Sequence, residues 1–246
     1  MPNPAKISAG SYDLNKFLFG GYETDIISTI YGPGGSGKTN FCILVAVSQA
    51  KKDNKVIYID TEGGFSPERV KQILAEPETL DEVLKKIILL KPTTFEEQEL
   101  DFGKLLKHVK KGYVSLIIVD SIAMLYRLEL GDAIKTKEDE KIREVNRKLA
   151  RQLRTLNEIA RKQNIPVIVT NQVYSQFITD EDDELKKQKT ISMVGGDLLK
   201  YWSKCLIELQ LYKGRRKIIL RKHRSLPEKS LDFEIIERGI RKKGLF

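Results

Sequence analysis

Cysteine, histidine and tryptophan are nearly missing from this chain, with two, two and one respectively in 246 residues. Cys42 and Cys205 lie in apolar runs and read as small core residues, which excludes a disulfide framework. His108 and His223 have no cysteine or histidine at metal-ligand spacing, which argues against a structural zinc site. Long hydrophobic runs are absent too. The longest, near Phe41 to Val47, is too short to span a bilayer. The opening "MPNPAKISAGSYDL" has no apolar segment of the kind a secretory leader needs. No repeat and no linker long enough to divide the chain is visible. The expectation is a cytoplasmic protein without membrane contact, folded as one domain over 1–246.

What is abundant is charge. Lys and Arg number 43 against 34 Asp and Glu, a formal net charge of +9. That excess favours an anionic partner, with nucleic acid foremost. A charge-rich surface also suits proteins that work at high temperature.

Five apolar, β-branched runs recur: "IISTIY", "VIYID", "KIILL", "LIIVD" and "PVIVT". Near-continuous runs suit strands buried on both faces, as in a parallel sheet covered by helices. Between 138 and 163, Ile142, Val145, Leu149, Leu153, Leu156 and Ile159 step by three or four and predict one long amphipathic helix. Asn164, Ile165 and Pro166 stop it. The last part, "CLIELQLY", "KIILRKH" and "LDFEII", leaves no room for crossover helices and predicts an antiparallel meander. The fold class is α/β, a mostly parallel sheet flanked by helices with an antiparallel C-terminal extension. Two segments, 127–140 and 174–196, read as loops. Each follows the C-terminal end of a strand, where open α/β sheets bind ligands.

"GPGGSGKT" matches G-x-x-x-x-G-K-T between a strand and a helix. In the loop formed by Gly32, Pro33, Gly34, Gly35, Ser36 and Gly37, the glycines let the backbone curl so that its N–H groups converge on phosphate oxygens, and the helix aims its positive end at the same anion. Lys38 adds a cation for the β- and γ-phosphates, and the Thr39 hydroxyl suits Mg²⁺. ATP with Mg²⁺ is the implied cofactor pair. Asp120 ends "SLIIVDS", four apolar residues and then an acid, and is the second candidate Mg²⁺ residue, acting through water. In "VIYIDTEGGFSPER", Ser66 is a candidate N-cap, Pro67 the first helical residue and Gly63-Gly64 the preceding turn. Asp60 is left to anchor the strand end. Glu62 is the one residue no turn requires. If its strand lies beside the phosphate-loop strand, Glu62 overlooks the γ-phosphate as a general base. Asn171 and Gln172, ending "VTNQV", read equally well as γ-phosphate sensors and as a turn.

These motifs and their spacing resemble the RecA/RadA recombinase superfamily over nearly the whole chain. The lead-in "ISAGSYDLNKFLFGGYETDIISTIYG" and the tail "RKHRSLPEKSLDFEIIERGI" take part in the match. Within it the resemblance is to the archaeal RadB paralogues, because the helical N-terminal domain and linker of RadA-type recombinases do not fit before Ser8. The resemblance implies that Glu62 activates water, Lys38 and Thr39 with Asn40 bind the nucleotide, and Asp120 supports Mg²⁺. It also implies that Gln172 senses the γ-phosphate and that Arg69 packs on the adenine, where a planar guanidinium stacks well. It implies weak ATPase activity without strand exchange, in DNA repair and homologous recombination. The implied partners are single-stranded or branched DNA, the main recombinase RadA or a Holliday-junction nuclease, and another copy of the chain. The alternatives are a KaiC-like regulatory ATPase that does not act on DNA, and an adaptor that uses ATP only to set its shape.

The candidate DNA contacts are Arg127 in the first loop, Lys186, Lys187 and Lys189 in the second, and Arg215, Arg216, Lys222 and Arg224 in "KGRRKIILRKHR". Lys222 or Arg224 reads equally as a residue reaching a neighbouring subunit's γ-phosphate. The acidic run Asp180 to Glu184 opposes a DNA role for the second loop and reads as a solvated tip.

Overall fold

A computed structural model describes residues 5–74, 76–109, 114–176, 190–193 and 195–244. Lys186, Lys187 and Lys189 lie outside the described residues.

The small β1 (Lys6–Ile7) and β2 (Tyr22–Glu23) form a two-stranded antiparallel ladder around α1 (Tyr12–Phe17). The main chain then runs β3 (Ile27–Gly32), α2 (Lys38–Ala50), β4 (Lys55–Asp60), α3 (Pro67–Ile73), α4 (Leu80–Lys85), β5 (Ile87–Leu90), α5 (Phe95–Val109) and β6 (Val114–Asp120). Next come α6 (Met124–Lys135), α7 (Asp139–Gln163), β7 (Val167–Gln176), β8 (Thr190–Met193), α8 (Gly196–Trp202), β9 (Ser203–Tyr212), β10 (Arg215–His223), β11 (Lys229–Ile236) and β12 (Gly239–Lys242).

The sheet order is β12-β11-β10-β9-β3-β7-β6-β4-β5, and β8 pairs antiparallel with β7. From β9 to β5 the neighbours run parallel. From β9 to β12 they run antiparallel, so β9 is the boundary strand. The α/β class and the C-terminal meander are as the sequence predicts. Successive strand residues feed opposite faces. Val56, Tyr58, Leu116 and Ile118 enter the core with α2, whereas Ile57, Ile59, Ile117 and Val119 enter the core with α5 and α7. Asn164 ends α7 in the left-handed conformation, at φ +53, and its Oδ1 accepts from the Thr24 hydroxyl at 2.7 Å.

The 174–196 segment is loop only in part, since β7 runs to Gln176 and β8 covers Thr190–Met193. Two further expectations need correction. The segment 127–140 is not a loop. α6 runs to Lys135 and buries Leu125, Tyr126 and Ala133, leaving only a short link to α7. Gly131 and the scattered charges hide a helix whose stability comes from packing on α7, since propensity is a weak guide where tertiary contacts exist. The second concerns strand order. β4 is not adjacent to β3, because β7 and β6 lie between them.

Candidate active site

The loop from β3 to α2 is built by backbone geometry. Gly35 and Gly37 have φ of +70° and +112°. The positive φ requires glycine, and a Cβ on Gly37 would also displace Ile235 Cδ1, 2.9 Å away. Gly32 lies against the Leu209 carbonyl oxygen of β9, which a Cβ would run into. Gly34 has nothing within 4 Å of a notional Cβ. That side of the loop is open.

Lys38 opens α2, is 6% exposed, and donates through Nζ to the Gly32 and Pro33 carbonyls, both at 3.0 Å. Burial lowers its pKa, while Glu62 and Asp120 oppose that shift. Asp120 is buried at the end of β6. Its Oδ2 accepts from Tyr58 Oη at 2.8 Å and its Oδ1 from Thr170 Oγ1 at 2.6 Å, with Thr39 as a further hydrogen-bond partner. Burial raises the Asp120 carboxyl, and these three hydroxyls pull it back down. Tyr58 and Thr170 escape a sequence reading because inward strand positions look like core. The Asp120–Ser121 peptide is cis.

Asp60 accepts from Gly64 N at Oδ1 and Phe65 N at Oδ2, both at 3.0 Å. It closes the turn that presents Glu62. Thr61 stitches β4 to β6, donating to Ser121 O and accepting from Ser121 N, each at 2.8 Å. Ser66 caps α3 by accepting from Arg69 N at 3.3 Å, and Pro67 is the first helical residue.

Glu62 thus leaves the end of β4, yet it crosses to β7. Gln172 Nε2 donates to Glu62 Oε2 at 2.9 Å. Gln172 lies beside Gly32 in the β3–β7 register, so this bond brings Glu62 to the phosphate loop over the intervening β6. Desolvation raises the Glu62 carboxyl, and the Gln172 amide and Lys38 oppose the shift. Arg127 lines the same small cleft with Glu62, Met124 and Gln172. Asn171 is buried at the register position of Tyr31.

Arg69 bridges three elements. Its Nε donates to Asn40 Oδ1 at 2.8 Å, and its terminal nitrogens donate to the Ile236 and Glu237 carbonyls at 2.9 Å each. Asn40 and Arg69 therefore meet beside the start of α2.

The residues fit a Mg²⁺–nucleoside triphosphate. Ser36 Oγ is buried inside the loop without a partner, and a buried ammonium faces a buried carboxylate next to the uncapped N-terminus of α2. Among the described residues, no group of three or more His, Cys, Asp or Glu side chains could hold a metal by itself. One hydroxyl and one carboxylate suit Mg²⁺, which keeps waters and phosphate oxygens as its other ligands.

A profile of the Rad51 family matches residues 3–243. The chain belongs to the Rad51 family. Relatives agree with this assignment. The chain is 39% identical over 231 residues to the DNA repair and recombination protein RadB of Methanosphaera stadtmanae, covering 92% of each chain. It is 41% identical over 227 residues to the RadB of Methanocaldococcus jannaschii, covering 92% of this chain and 98% of the relative. For the RadB of Methanothermobacter thermautotrophicus the identity is 37% over 232 residues, covering 92% of each.

This Rad51-family chain uses its basic C-terminal run largely for itself. Arg224 donates to Glu23 Oε2 at 2.6 Å and to Asp25 at 2.8 and 3.2 Å. Lys222 Nζ donates to Lys200 O at 2.7 Å, and His223 Nδ1 accepts from Ser225 N at 3.1 Å. Arg216 reaches back to Gly35 O at 3.4 Å, against the phosphate loop. Arg215 is exposed on the β9–β10 hairpin. The sequence places Arg215, Arg216, Lys222 and Arg224 in one cluster, but the structure directs them to four different surroundings. No helix among the described residues is long and apolar enough to cross a membrane.

Proposed function

We propose that this chain is a weak, Mg²⁺-dependent ATPase of DNA repair and homologous recombination that binds DNA and carries out no strand exchange itself. The observation that carries the enzymatic part is the 2.9 Å bond from Gln172 to Glu62 beside the phosphate loop. The recombination role is supported by the name shared by the RadB relatives.

Lys38 would face the phosphates, and Thr39 and Asp120 would hold Mg²⁺, which supplies charge neutralisation at the transferred phosphoryl group. Ser36 and the backbone N–H groups of the loop would bind phosphate oxygens. Glu62 would accept the proton of a water at its carboxylate, and Gln172 positions that carboxylate. Asn40 and Arg69 would border the base. The chain then modulates RadA or a junction nuclease rather than replacing either, and its own oligomer belongs to the same proposal.

The test is binding of a labelled single strand across a salt series, with and without Mg²⁺–ATP, alongside sizing in solution. Affinity that falls with salt supports the reading. A flat response, or no binding at low salt, removes the DNA part and favours the KaiC-like alternative.

A further inference from the structure

The outer face of α7 carries Arg147, Arg151 and Arg154, spaced four and three residues apart, and all three are exposed. That spacing sets them on one side of the helix, over about 10.5 Å of axis. Beside them lies Trp202, the last residue of α8. The four side chains line a groove of about 570 Å³, with the small Ala150 among its lining residues. Glu144 also lines it, but its carboxylate is drawn to Lys148 at 3.6 Å. Arg151 keeps an ion pair with Glu99 at 2.9 Å, and Arg147 Nε donates to Arg143 O at 3.3 Å. Trp202 is half-buried against the second core and meets the exposed Tyr201 edge to face, with ring centroids 5.3 Å apart. The Trp202 ring is thus held in place at the groove.

We infer that this groove between α7 and α8 binds single-stranded nucleic acid, with Arg147, Arg151 and Arg154 tracking the backbone and Trp202 stacking a base. The inference rests on the DNA-binding reading above and gives it a location outside the two segments that follow β6 and β7. The span covers about three nucleotide steps at roughly 3.4 Å per stacked nucleotide, a length of backbone that three flexible arginines can serve. A cationic row with an immobilised aromatic ring beside it is the combination that holds single strands without reading their sequence. Arginine adds stacking of its own on exposed bases. An acidic polypeptide would satisfy the arginines but leave the aromatic platform unused. A double helix would bury its bases away from Trp202.

Trp202 is the chain's only tryptophan, so its emission reports on this groove alone. The full chain is titrated with an oligothymidylate of about 16 nucleotides, reading tryptophan emission and, with a labelled strand, anisotropy. The expected result is saturable quenching with the same midpoint in both readouts. The double variant Arg147→Ala, Arg154→Ala changes exposed residues only and keeps the wild-type melting temperature. Its affinity falls about tenfold or more, and its salt slope drops by roughly 1.4, about 0.7 for each phosphate no longer neutralised. Binding by anisotropy with unchanged emission and an unaffected double variant overturns the groove while leaving DNA binding intact. Absence of wild-type binding at low salt overturns both. Quenching by a polyglutamate peptide and not by the oligonucleotide overturns the groove in favour of an acidic protein partner.

Discussion

Glu62 and Gln172 meet at 2.9 Å although their strands, β4 and β7, are not neighbours. The intervening β6 ends in Asp120, so one hydrogen bond spans the acid and closes the cleft above it. The carboxylate proposed as general base is thus supplied from two strands away, on a turn fixed by Asp60 and Thr61.

Replacing Glu62→Gln removes the proposed proton acceptor and keeps the shape. ATP turnover is expected to fall about a hundredfold, the usual scale for losing a general base, with nucleotide binding retained. Phosphate release and equilibrium nucleotide binding, measured on the same preparation, check this. Unchanged turnover would return the site to the adaptor reading. Gln172→Ala is expected to lose less, about tenfold, through positioning alone.

The pH dependence follows from the same pair. Desolvation holds the Glu62 carboxyl above its ordinary 4.5, and the basic form is the active one. Turnover therefore falls as pH drops through a value higher than an ordinary glutamate's. Gln172 lowers that value, so Gln172→Ala moves the acid limb further up. A pH–rate profile of both proteins reads the displacement. A limb that stays in place denies Gln172 its role.

Asp120 gives a separate, thermodynamic prediction. Burial raises its carboxyl from 3.8, so the folded chain holds that proton more tightly than the unfolded chain. Its contribution to stability is lost as pH rises from 3.8 through the raised folded value. Asp120→Asn is expected to remove that component of the slope of melting temperature against pH, which calorimetry over the acidic range measures.

Arg224→Ala is predicted to act on stability rather than on DNA. It leaves the buried Glu23 carboxylate without its strongest partner, and Glu23 Oε1 already has none. Breaking a buried pair from one side costs several kcal/mol, and the partial exposure of Arg224 reduces this to about 2 kcal/mol. Urea unfolding checks the loss. Loss of DNA affinity without loss of stability would show that Arg224 serves an outside ligand.

The phosphate motif, the strands and α7 are legible in sequence because each is a local pattern: a spaced signature, an apolar run, a three-to-four step. Ser66 and Pro67 are legible for the same reason, whereas the turn-closing role of Asp60 is not. What stays hidden is non-local. Strand order decides whether Glu62 reaches Gln172, and no spacing encodes it. Arg224 pairs with Glu23 and Asp25, some two hundred residues away, and so looks free in the sequence. α6 reads as a loop because its buried residues are few and its hydrophobic stripe is interrupted by Gly131. β12 is missed because four residues, "GIRK", carry no alternation worth reading.

Two glycines of the phosphate loop should behave oppositely. Gly32→Ala drives a Cβ into the Leu209 carbonyl and is expected to cost about 2 kcal/mol, as overpacking does. Gly34→Ala meets nothing within 4 Å and should leave the melting temperature unchanged. Thermal unfolding of the two variants side by side is the measurement.

The Gly32 contact has a mechanical meaning. β9 is the seam between the parallel sheet and the meander, and its backbone touches the first residue of the phosphate loop with no side chain between them. Ile235 of β11 reaches the other end of the loop, its Cδ1 lying 2.9 Å from where a Cβ on Gly37 would sit. The loop is gripped at both ends by the meander, like a string held between two pegs. A partner that seizes the outer strands therefore has hold of the loop as well.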